Sequence, residues 1–210
     1  MPPLDVSDTS LTSKSPPYNL EKAEIAALPL GWFPGRIHVA DTSEAVTDAL
    51  LGLEGVSVLG MDTETRPSFR RGERHPVAVL QLASAEQAVL VQLRWAGMPS
   101  LLREILESEQ IVKVAQAPTD ELRSLRIRYG VNARRVVDVG RIVHAAGYTP
   151  SSVRGQAAHF MGIRISKSAQ ISNWAERRLT PAQQRYAATD AWVCRQSYLA
   201  LQAVSNGRSR

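Results

Sequence analysis

A single cysteine, Cys194, stands in the whole chain, which rules out an intrachain disulfide and a cysteine-based zinc cluster and suits a reducing compartment. There is no run of about 18 apolar residues. The N-terminus also lacks a basic start followed by an apolar stretch and a cleavage site. The expectation is therefore a cytoplasmic protein, neither exported nor membrane-spanning. The histidines His38, His75, His144 and His159 show no pairing at the short helical spacing of a zinc site. No Gly-rich loop ends in Lys-Ser or Lys-Thr, so the chain carries no phosphate-cradling motif of an ATPase or helicase. A helicase or repair factor would have to act as a separate partner. Internal repeats are lacking as well.

What is present fits one ordinary globular domain with a full core: 210 residues, 44% hydrophobic and 21% charged. Lys plus Arg number 25 against 20 for Asp plus Glu, and the pI is about 9.7. A positive surface around an acidic site suits a polyanionic substrate such as nucleic acid.

Residues 1–25 open with a stretch rich in Pro, Ser, Thr and Asp and read as a flexible leader. Residues 26–204 form the expected domain, followed by a tail at 205–210. Within the domain, Gly31 to Val39 reads as a turn and a strand, and Ser43 opens a helix through Leu53. Val56 to Met61 reads as a buried strand aimed at Asp62. Val77 to Leu82 and Ala88 to Leu93 alternate like two further strands, completing a three-stranded meander. Pro99 starts a helix to Glu107, Ile111 to Ala115 is a short strand, and Pro118-Thr119-Asp120 marks another helix start. Arg135 to Asp138 reads as an edge strand. The rest to Val204 is mostly helical, broken at 147–150 and between Gly162 and Ser172. These elements predict an α/β fold, a mixed central sheet with helices on both faces.

The chemistry rests on carboxylates delivered by separate elements. In Asp62-Thr63-Glu64 the two acids share one side of an extended strand, because side-chain direction repeats every two residues. Tyr186 and Asp190 lie four apart within a helix expected from Pro181 to Leu201, on one face, with Cβ atoms about 6 Å apart. Hard divalent cations such as Mg2+ or Mn2+ take oxygen ligands of this kind. In-line attack of water on a phosphodiester uses two such cations about 4 Å apart. Asp138 competes as a further carboxylate, with helix capping as the simpler role.

The sequence resembles the DEDDy branch of 3'-to-5' exonucleases, nearest to the Werner-type and ribonuclease D-like domains, over residues 35–204. The resemblance lies in Leu59 to Phe69, in Lys113 through Asp120 to Leu125, and most specifically in Leu179 to Ala191 with its Tyr186-Ala187-Ala188-Thr189-Asp190 core. Ser172-Asn173-Trp174 is similar to a Werner-type segment. The stretch Ala115 to Thr119 departs from the pattern, lacking the Gly or His often found there. Arg185 stands where the sister branch has its histidine, so Tyr186 matches the tyrosine form.

The resemblance implies a ribonuclease H-like fold and two divalent metal ions, Mg2+ or Mn2+, held by Asp62, Glu64, Asp120 and Asp190, with Tyr186 orienting the attacking water. It implies release of nucleoside 5'-monophosphates from a 3' end by a stand-alone exonuclease domain, with DNA favoured over RNA. A ribonuclease D-type exoribonuclease is the alternative within enzymes, and an inactive nucleic-acid-binding module the alternative outside them. Candidate substrate contacts are Thr63, Thr65, Phe69, Arg70, Lys167 and Trp174, with Arg66, Arg71 and Arg74 completing a basic cluster around Arg70.

Overall fold

The computed structural model describes residues 20–70, 72–149 and 152–207. At its centre is a sheet of β1 (Arg36–Ala40), β2 (Val58–Thr65), β3 (Val77–Ala83), β4 (Gln87–Gln92), β5 (Val112–Ala115) and β6 (Val136–Asp138), in spatial order β1-β4-β3-β2-β5-β6. β2, β3 and β4 make the expected antiparallel meander, while β1 joins β4, β5 joins β2, and β6 joins β5 in parallel. Ser84 closes the β3-β4 turn: its Oγ accepts from the Gln87 amide at 3.0 Å and its own amide donates to the Gln87 carbonyl at 2.8 Å. Both faces of β3 are buried along its length, so helices must cover the sheet on both sides.

The described helices are α1 (Lys22–Ala27), α2 (Ser43–Leu51), α3 (Leu93–Ala96), α4 (Ser100–Glu107), α5 (Thr119–Tyr129), α6 (Val139–Ala145), α7 (Val153–Met161) and α8 (Pro181–Gly207). Val46 and Leu50 of α2, Leu102 and Leu106 of α4 and Leu125 of α5 pack with Leu59, Met61, Leu80 and Leu82 on one face. On the other face Ala187, Ala188, Ala191 and Trp192 of α8 pack with Val79, Ala83 and Leu90. The alternation along β2 thus sends Leu59 and Met61 to one layer and Gly60, Asp62 and Glu64 toward α8.

Gly60 explains how close α8 comes. A Cβ there would run into the Ala191 carbonyl oxygen, so a larger residue would push the helix off the strand. The fully buried Ala187, Ala188 and Ala191 on the facing side of α8 supply the matching small surface. Thr180 and Gln183 start the helix as a capping box: Thr180 Oγ1 accepts from the Gln183 amide at 3.2 Å, and Gln183 Oε1 accepts from the Thr180 amide at 2.9 Å.

Several boundaries differ from expectation. β2 runs on through Thr65 because Thr63, Glu64 and Thr65 pair with Leu80, Val79 and Val77 of β3; the first acidic pair therefore lies inside the strand, not beyond it. The run ending at Leu93 turns into α3. Residues 162–180 have little regular structure down to Thr180, a longer interruption than the break to Ser172. α8 continues past Leu201 to Gly207, and α1 spans the expected leader boundary, while residues 1–19 of that leader lie outside the described residues.

Candidate active site

Asp62 and Glu64 leave β2 on the face that α8 covers, and Asp190 comes from α8 itself. One carboxylate oxygen from each lies within 4.8 Å of the others. Burial raises all three acids, Asp62 to about 7, Glu64 to about 9 and Asp190 well above the ordinary carboxylate range, and the charge of Asp62 adds to the shift of both Glu64 and Asp190. A cluster of oxygen donors that resists ionising together is suited to a hard divalent cation, whose charge would remove that resistance.

Tyr186 lies one helical turn before Asp190, and burial first, then the charges of Asp190 and Glu64, push its phenol up from its ordinary value. It stays a neutral hydrogen-bonding group. Trp174, 1% exposed, lies against it with ring centroids 5.9 Å apart at 44°. The irregular segment carrying Trp174 is tied to α8 by Gln183, whose Nε2 donates to Ser172 Oγ at 3.1 Å and to the Asn173 carbonyl at 3.4 Å. Trp174 therefore braces the tyrosine from below and presents no face for a bound strand. Lys167 is exposed near Asp190, and its ammonium partly offsets the acid's upward shift.

The start of α5 falls differently from the sequence expectation. Asp120 is exposed and lies outside the group formed by Asp62, Glu64 and Asp190. Its neighbour Glu121 is turned inward, with Oε2 buried and lacking a hydrogen-bond partner, and its charge adds to the upward shift of Asp62. The phase of the helix accounts for this, since Glu121 shares a face with buried Leu125 one turn on, whereas Asp120 shares one with partly buried Ser124. The spacing to Leu125 was the available sequence signal for Glu121. Asp138 caps α6, its Oδ1 accepting from the Gly140 amide at 3.0 Å and the Ala117 amide at 3.2 Å.

Among the other candidates, Thr63 points to the opposite side of β2 from its acidic neighbours, with Oγ1 buried and unpartnered. Thr65 is exposed at the irregularity that follows Glu64. Phe69, 81% exposed, and exposed Arg70 sit on the loop after β2, so Phe69 is no part of the core. Arg71 lies outside the described residues.

A family profile described as 3'-5' exonuclease matches residues 37–205. The chain belongs to the 3'-5' exonuclease family. Members of this DEDD-type exonuclease family are hydrolases that use divalent metals, and the acidic group on β2 and α8 is consistent with their catalytic site. The exonuclease 3'-5' domain-containing protein 2 of Drosophila melanogaster is 33% identical over 139 residues, covering 64% of this chain and 23% of the relative. The bifunctional 3'-5' exonuclease/ATP-dependent helicase WRN of Mus musculus is 29% identical over 176 residues, covering 79% of this chain and 13% of the relative. The chain thus spans less than a quarter of the length of either relative.

Solved structures agree on the fold. The Nibbler EXO domain of Aedes aegypti superposes with a TM-score of 0.70 at 18% identity, covering 89% of this chain and 91% of that one. Escherichia coli RNase D gives 0.69 at 21% identity, covering 80% and 45%. The sheet and its flanking helices are ribonuclease H-like, as the resemblance implies. Among the described residues no helix is long and apolar enough to cross a membrane.

Proposed function

We propose that this exonuclease domain removes nucleoside 5'-monophosphates one at a time from the 3' end of a nucleic acid strand by a two-metal-ion mechanism, with Mg2+ or Mn2+ as the cations. The observation that carries this reading is the convergence of Asp62, Glu64 and Asp190 within 4.8 Å beside the Tyr186 hydroxyl. Asp62, Glu64 and Asp190 would hold the cations, with the fourth carboxylate drawn from the first turn of α5, where Asp120 fills the family position and Glu121 faces Asp62. When bound, two such cations ease deprotonation of the attacking water and stabilise the leaving 3' oxygen.

The chain's own groups supply orientation. Tyr186, kept neutral beside Asp190, holds water beside the scissile phosphate through its hydroxyl, and Trp174 fixes the ring that carries it. Thr65, Phe69, Arg70 and Lys167, all exposed, would contact the terminal nucleotide.

DNA is the favoured substrate, on the Werner-type Ser172-Asn173-Trp174 segment and the similarity to the mouse exonuclease/helicase. The exoribonuclease reading draws on the same fold: Trypanosoma brucei RNase D, solved in complex with RNA U12, superposes with a TM-score of 0.67 at 17% identity. Matched DNA and RNA strands of one sequence, degraded side by side, decide between them. The DNA reading expects faster release from DNA, and a faster RNA reaction overturns that preference.

A further inference from the structure

Beyond the carboxylates a groove of about 660 Å³ opens along the edge of β3 and α3. Its lining neighbours the site along the chain: Arg66 follows Glu64 by two residues, Val77 pairs with Thr65, and Asn173 precedes the tryptophan packed on Tyr186. Arginines converge here from four separate segments: Arg66 after β2, Arg94 on α3, Arg128 on α5 and Arg177 before α8.

Two of them are organised by one ring. Trp95, 41% exposed, has the Arg94 guanidinium 4.9 Å and the Arg177 guanidinium 5.4 Å from its centroid. Arg177 is further fixed by its Nε donating to Asp41 at 2.9 Å. A cation–π contact orders a guanidinium without consuming its N–H donors. Among the described residues Arg66, Arg94 and Arg128 form no ion pair with a carboxylate. The groove's one acid, Glu176, is engaged by Asn173 Nδ2 at 2.6 Å. The three guanidiniums without an ion pair repel each other around one concavity unless an anion lies among them, and Arg177, held by Asp41, stands beside them.

We propose that this groove is a second nucleic-acid contact, in which Arg94, Arg177, Arg128 and Arg66 hold backbone phosphates of the strand leading to the scissile end and Trp95 and its stacked guanidiniums offer a flat face to a base. The inference rests on the exonuclease reading above. It separates two functions in space: the carboxylates act on the terminal linkage, and the groove sets how tightly a longer strand is held.

The test uses the full chain with Mn2+, a dinucleotide and a single-stranded decamer, and the variants Trp95→Ala and Arg94→Glu. A circular-dichroism melt confirms folding, and Arg94→Glu, at an exposed position, stands in if Trp95→Ala unfolds. The expected result is a KM for the decamer raised about tenfold or more with kcat unchanged, and dinucleotide turnover as in wild type. Decamer binding should also lose salt dependence, by about 0.7 in log–log slope for each phosphate contact removed. Unchanged decamer KM and salt slope in folded variants of an active enzyme overturn the groove. A wild type that cleaves neither substrate overturns the exonuclease reading on which it rests.

Discussion

Replacing Glu64 with Gln should stabilise the metal-free protein while removing its activity. Glu64 is raised from 4.5 to about 9, by burial first and then by the charges of Asp62 and Asp190. An acid whose folded value is raised contributes stability below its unfolded value and loses it as pH climbs through the folded one, because the folded state then holds a proton the unfolded state has released. For Glu64 that window runs from pH 4.5 to about 9. Each unit inside it costs about 1.4 kcal/mol, an upper figure of about 5 kcal/mol at about pH 8. Relaxation and water around a half-buried group reduce this to on the order of 2 kcal/mol. For a chain of this size that is a gain of about 4–8 °C in Tm for Glu64→Gln over wild type. Thermal melts in EDTA from about pH 5 to 9 are the assay, with wild type falling more steeply than the variant. Added Mn2+ should reverse the order, since cation at about a hundred times Kd adds about 2.7 kcal/mol to the protein that binds it. A variant no more stable than wild type at about pH 8, with wild type insensitive to pH in EDTA, would refute the charge-crowding argument.

Tyr186→Phe should bind metal as wild type does by calorimetry yet turn over about 100-fold more slowly; an unaltered kcat would take the phenol out of the mechanism. At the start of α5, Asp120→Asn and Glu121→Gln separate the motif position from the inward-facing one. If Asp120 is the fourth ligand its variant alone weakens metal affinity, and an unaffected Asp120→Asn beside a weakened Glu121→Gln would move that role by one residue. Gly60→Ala should cost about 1–3 kcal/mol or more in urea denaturation and lower turnover as well, since it separates β2 from α8; wild-type stability would contradict the close approach of that pair.

Much of this site was readable because its periods are simple. The two-residue repeat of β2 put Asp62 and Glu64 on one side, and the four-residue spacing on α8 put Tyr186 and Asp190 on another, with the alanines between them setting the approach. The meander could be read because its strands are apolar runs around a short Ser84-centred turn. Other features depended on tertiary packing. Whether Asp120 or Glu121 faces inward turns on about 100° of helical phase, which Leu125 sets by docking on the sheet. The irregular stretch before Thr180 has no periodicity to read, being held by Gln183 and the buried Trp174 ring. Trp95 drew no attention in the sequence because its partners, Arg94 and Arg177, are brought together only by the fold.

The central claim is tested most directly by following 3'-labelled and 5'-labelled single strands with wild type and Asp62→Ala, in Mg2+, in Mn2+ and in EDTA, and identifying the products. The account predicts nucleoside 5'-monophosphates released from the 3' end, dependent on divalent cation and lost in the folded Asp62→Ala protein. Release that survives EDTA or the Asp62→Ala substitution would contradict it, as would a folded, metal-loaded wild type that cuts neither DNA nor RNA.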